Sequence, residues 1–79
     1  METKIGLTVV YKTTLQDREK MEAAQILKGG CNVQDFLPAI ITHIWDSDTV
    51  NLRVITDGNL DLWITSVPRG SVPGSWDNL

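Results

Sequence analysis

The chain has 79 residues, 42% of them hydrophobic and 22% charged, a balance that fits one small domain spanning 1–79 and excludes disorder. A net charge of −3 removes the basic footprint needed to grip duplex nucleic acid, and no apolar run approaches the ~20 residues of a membrane span. So short a chain buries only roughly 60–65% of its unfolded surface, so a homo-oligomer is expected to add stability.

The row Ile5-Gly6-Leu7-Thr8-Val9-Val10-Tyr11 is rich in β-branched and aromatic residues and predicts a first strand over 5–12. Thr14, three residues ahead of Asp17, resembles a capping box and opens a run of good helix formers over 15–28, which Gly29-Gly30 stops. Met21, Ala23, Ala24, Ile26 and Leu27 give this helix one apolar face for a sheet. Residues 30 to 37 read as a loop, and Pro38 as the first residue of the second strand. From 38 to 67 three strand-like runs are separated by Asp46-Ser47-Asp48-Thr49 and Asp57-Gly58-Asn59, which read as hairpin turns of a meander. The tail, 68–79, holds two prolines and two glycines and leaves room only for a short edge strand around Trp76, wrapping the rest. The expected fold is mainly β with one α-helix between strands 1 and 2: a small SH3-like barrel, or an antiparallel β-meander with the helix packed on one face.

Period-two alternation assigns the inward face as Ile40, Thr42 and Ile44, then Leu52 and Val54, then Leu60, Leu62 and Ile64. The opposite face then gathers Ile41, His43 and Trp45 beside Asn51, Arg53 and Ile55, beside Asp61, Trp63 and Thr65. Indole rings next to a guanidinium and an amide suit a planar anionic ligand, through stacking, phosphate contact and edge recognition. The same residues also suit an interface, with Arg53 paired to Asp61 on a solvated surface. Where the meander meets the tail, Ser66, Arg69 and Trp76 could hold an anion at the rim of the barrel, or the tail is simply anchored by the one Trp. The candidate ligand-binding set is therefore Trp45, Asn51, Arg53, Trp63, Ser66, Arg69 and Trp76.

Other chemistry finds little footing. His43 has no nucleophile that the sequence places beside it, and the single Cys31 has no partner for a disulfide, a zinc site or a resolving thiol. Asp57 opens a segment like a calcium loop, but Leu62 stands where glycine belongs and Pro68 where the bidentate glutamate belongs. Lys28-Gly29-Gly30 reads as a helix C-cap rather than a phosphate loop. No paired acid and base, metal cluster or activated nucleophile is present, so the expectation is a protein that is not an enzyme and uses no cofactor.

Ile5-Gly6, Val9-Val10-Tyr11, the run from Leu37 to Trp45, Val50-Asn51-Leu52, Asp57-Gly58, the run from Trp63 to Val67 and Gly74-Ser75-Trp76 together resemble a class of small tailed-bacteriophage proteins similar to SH3-like barrels. The resemblance covers most of the chain except the helix, and supplies no reaction. It implies a phage protein acting in the cytoplasm of the infected bacterium, in keeping with an amino terminus that does not read as a signal peptide. Small phage proteins of this kind often counter host defence, which turns the candidate face into an expectation: sequestration of a nucleotide-derived immune signal at a subunit interface. The alternatives are a virion or assembly component, and an inhibitor docking on a host protein.

Overall fold

The computed structural model describes residues 3–28, 31–58 and 60–79, the side chains of 26–28, 31 and 61 excepted. Its elements are β1 (Thr8–Lys12), α1 (Leu15–Lys28), β2 (Cys31–Asn32), β3 (Phe36–Ile44), β4 (Thr49–Ile55), β5 (Asp57–Gly58), β6 (Asp61–Pro68) and β7 (Trp76–Asn78). Five of the strands form an antiparallel sheet in the order β6-β4-β3-β1-β7, and β2 pairs with β5 as a separate ribbon. The chain is thus mainly β, with its helix following the first strand. Just past β6, Arg69 makes a parallel bridge with Trp76, and the Gly70 N–H donates to the Trp76 carbonyl at 2.8 Å, so the two ends of the sheet meet.

Several boundaries differ from the sequence reading. The first strand starts at Thr8, because the Leu7 N–H turns back to the Lys4 carbonyl (3.2 Å) and Gly6 takes φ +90°, a conformation glycine adopts without strain. Pro38 is the third residue of β3, opposite Val10, not its first. It is tolerated because the Ile41 and Thr13 amides bond across β1 and β3, which turns the even positions of β3 toward β4, and β4 begins pairing only at Ala39. Asp57 and Gly58, read as a turn, instead pair with Asn32 and Cys31. Gly29, Gly30 and Asn59, the remaining turn signals, lie outside the described residues.

The helix start follows the capping expectation. The Asp17 N–H donates to Thr14 Oγ1 (3.1 Å), and the Thr14 N–H donates to Asp17 Oδ2 (2.9 Å). The same carboxylate accepts from the Tyr11 hydroxyl at 2.5 Å, which ties the helix start to β1. Met21 is fully buried in the core and Ala24 half-buried, whereas Ala23, expected on the same face, is exposed. Gly74 (φ +86°) lies against the helix start, where a Cβ would come within 3.2 Å of the Thr14 methyl.

The core is Val9 and Tyr11 from β1, Leu37, Ala39 and Ile41 from β3, Val50, Leu52 and Val54 from β4, Leu62 and Val67 from β6, with Met21 and Trp76. This corrects the expected inward face of β3. Ile41 is buried, Ile40 only half-buried, and Thr42 exposed. The cause is a β-bulge between Ile41 and His43, which inserts Thr42 and shifts the alternation by one, so that Ile44 again packs toward the core.

Burial, then the hydrogen bond to Asp17, raise the Tyr11 pKa far above its ordinary value of 10.0. A group whose folded pKa is raised keeps its proton while the unfolded chain ionises, so its contribution is complete below about pH 10 and is lost as pH rises beyond that. Urea midpoints measured across this range are expected to fall with pH, with a shallower fall in Tyr11→Phe; identical slopes would remove Tyr11 as the cause.

Candidate functional site

A second bulge organises the outer face of the sheet. Val50 pairs with Val67 and Leu52 with Ile64, leaving Asn51 opposite both Thr65 and Ser66. Ser66 takes φ +55°, a left-handed conformation that costs a non-glycine residue on the order of 1 kcal/mol. Asn51 Oδ1 holds this geometry by accepting from the Ser66 N–H, the Thr65 hydroxyl and Trp45 Nε1, each at 2.9 Å. Asn51 is buried, and its acceptor has no room for a ligand donor. The Trp45 ring is exposed but fixed by that bond and by an edge-to-face contact with His43 at 4.5 Å. Asn51 and Trp45 share the face that the alternation gave them, whereas Ser66, which the sequence reading grouped with Arg69 and Trp76, joins them at the bulge, and the three bind one another.

The tail residues are similarly engaged. Trp76 is 0% exposed, its Nε1 donates to the Asp48 carbonyl (3.1 Å), and the Arg69 guanidinium stacks over its ring at 4.1 Å. Arg69 Nε also donates to Asp48 Oδ1 (3.1 Å), and one terminal nitrogen reaches the Thr3 hydroxyl (3.1 Å). Asp48 is positioned by the preceding turn, in which Asp46 Oδ1 accepts from the Asp48 and Thr49 N–H groups. The Asp48 bond, together with that from Thr49, holds the Asp46 pKa below its usual value, since the anion is the better acceptor. Of the two tail readings, the geometry matches the structural one: Arg69 and Trp76 fasten the end of the sheet.

Arg53 and Trp63 differ. They are direct cross-strand partners on β4 and β6, both are exposed, and Arg53 makes no hydrogen bond or ion pair among the described residues. The expected Arg53–Asp61 pair cannot be described, because the Asp61 side chain lies outside the described residues. Ile40 completes the row on β3, taking the place that the sequence reading gave to Ile41. Phe36 and Ile55 extend the exposed apolar surface along the same face, with the Lys12 ammonium 5.6 Å from the Phe36 ring centre.

Trp63 also borders a groove of about 380 Å³ between the edge of β6 and the first turns of α1, where Lys20, Gln16 and Thr14 form the opposite wall and Tyr11 and Asp17 lie deeper. Lys20 was not singled out by the sequence. Its position three residues after Asp17, one turn along the helix, was the available signal. A second hollow of about 370 Å³, bordered by Lys12, Phe36, Asp77 and Asn78, includes no predicted site residue.

Among the described residues no group of His, Cys, Asp and Glu could hold a metal ion, and no helix is long and apolar enough to cross a membrane. The chain matches no family model, no curated protein and no solved structure.

Replacing Asn51 by Ala strips the acceptor from three donors and leaves the Ser66 turn unsupported. A loss of about 2 kcal/mol is expected by urea unfolding, against under ~1 kcal/mol for Thr65→Val, which removes one exposed donor. Equal losses would mean that Asn51 does not hold the bulge.

Proposed function

We propose that this protein is a non-enzymatic binder that sequesters a planar, anionic, nucleotide-derived molecule, with Trp63 as the stacking surface and Arg53 as the phosphate contact. The observation that carries this reading is the exposed Arg53–Trp63 pair, whose guanidinium has no partner among the described residues while every other candidate group is engaged within the fold. An exposed indole offers stacking area, and a guanidinium fork matches phosphate oxygens. Lys20 lies on the helix side of the sheet edge, across the groove that Trp63 borders, and is not counted in the proposed site. Net negative charge does not oppose this reading, since local donors dominate at contact distance.

In the phage setting that the sequence resemblance implies, such a binder would remove a host immune signal from circulation in the infected cell. The Arg53–Trp63 surface is open on one chain alone, so the proposal includes a homo-oligomer that encloses the ligand. A second reading, a contact surface for a virion or host protein, is favoured by exposed Phe36 and Ile55 on the same face, because apolar side chains beside Arg and Trp also mark protein interfaces.

A thermal-shift screen with cyclic dinucleotides, ADP-ribose derivatives and mononucleotides tests the proposal. At a concentration a hundredfold above Kd, a ligand stabilises by about 2.7 kcal/mol, which for a domain of this size raises Tm by about 10 °C or more. Arg53→Ala and Trp63→Ala are expected to abolish the rise while leaving the ligand-free Tm within a few degrees, since both side chains are exposed. No rise with any nucleotide, together with co-purification of a capsid or host protein, would transfer the assignment to the second reading.

A further inference from the structure

The outer edge of β6 is the place where the molecule is unfinished. On β3 and β4, the Trp45 N–H bonds to the Thr49 carbonyl, so the odd residues of β4 direct their backbone groups toward β3 and the even ones toward β6. Val50, Leu52 and Val54 therefore bond to Val67, Ile64 and Leu62. By the same alternation, the N–H and C=O groups of Asp61, Trp63 and Thr65 point away from the sheet, and no strand among the described residues receives them. The groove beside α1 leaves space along this edge.

We propose that β6 pairs antiparallel with β6 of a second copy across a two-fold axis at Trp63, and that the pair forms one shared site for a two-fold-symmetric dinucleotide. This rests on the ligand-binding reading above. The register is self-complementary: Trp63 meets the second copy's Trp63, and the outward groups of Asp61 meet those of the second copy's Thr65. One row on the outer face then reads Arg53, Trp63, Trp63, Arg53. Strands are about 4.8 Å apart, so the two Arg53 Cα atoms lie ~15 Å from each other, more than a Debye length at physiological salt. Their mutual repulsion is small, while each can engage its own phosphate. Two indoles and two guanidinium groups related by a two-fold axis match a cyclic dinucleotide, which carries two bases and two phosphates in the same symmetry.

Interface area decides how the pair behaves. The five residues from Asp61 to Thr65, at about 3.3 Å each, make a paired edge ~16 Å long, and with Trp63 on one side and the helix start on the other the strip covers about 250 Å² per chain, a third of the roughly 800 Å² of a standard interface. The second copy alone therefore associates weakly, and a bridging dinucleotide completes the assembly.

Sedimentation velocity, titration calorimetry and amide hydrogen exchange on the full chain test this with cyclic di-GMP and cyclic di-AMP as probes and GMP as control. The expected result is dimerisation driven by the dinucleotide, one ligand per two chains, and slowed exchange at the Asp61 and Trp63 amides. Asp61→Pro removes an outward N–H without breaking a bond to β4, and is expected to lose dimer and ligand together while keeping the ligand-free Tm. Should that variant fail to fold, exchange at the two amides of the unaltered chain decides alone. A dinucleotide bound one per chain without dimerisation, or amides equally fast at the highest soluble concentration with and without ligand, overturns the pairing. If no dinucleotide binds yet both amides become protected as concentration rises, the pairing stands and the ligand reading falls.

Discussion

One buried acceptor governs the outer half of this fold. Asn51 Oδ1 collects three donors from two separate stretches of chain, one of them the N–H of Ser66 in its left-handed conformation. The bulge it holds lets β6 keep Leu62 and Ile64 on the core side before the irregularity and Val67 on the same side after it. It also fixes where the outward residues fall, so the Arg53–Trp63 row depends on an amide that touches neither residue.

The sequence carried the order of elements well and the offsets within strands poorly. Helix 15–28 and its Thr14–Asp17 cap were legible because capping chemistry and helix periodicity are local. The alternation of β4 was legible because that strand has no insertion, so Leu52 and Val54 go inward and Arg53 outward, as period two requires. On β3 the same rule failed at Thr42, where one extra residue exchanged Ile40 for Ile41. A bulge is a property of two strands in register, and no single row of residues announces it. The β2–β5 ribbon was missed for a related reason: strands of two residues have too little pattern to outweigh an Asp-Gly turn signal.

The candidate site was legible as a composition and misjudged as a set. Four of the seven residues, Trp45, Asn51, Arg53 and Trp63, were placed by alternation and lie on the outer face, whereas Ser66, Arg69 and Trp76 were gathered by type from the segment that follows. What sequence cannot reveal is which polar groups already satisfy one another. Arg69 is held by Asp48, Thr3 and the ring of Trp76, whereas Arg53 on the neighbouring surface has none of these neighbours. Two arginines that look equivalent in the sequence therefore differ in what they can offer a ligand, because a guanidinium already forked onto protein acceptors would have to exchange those bonds for new ones.

The three indoles occupy three distinct settings: Trp76 sealed under a guanidinium, Trp45 anchored through its ring nitrogen at the bulge, and Trp63 open to solvent on the sheet edge. Intrinsic fluorescence of this protein is consequently a composite of three local reporters. A shift in emission that leaves the buried component untouched speaks of events at the open edge, and one that moves it speaks of the seam between the ends of the sheet.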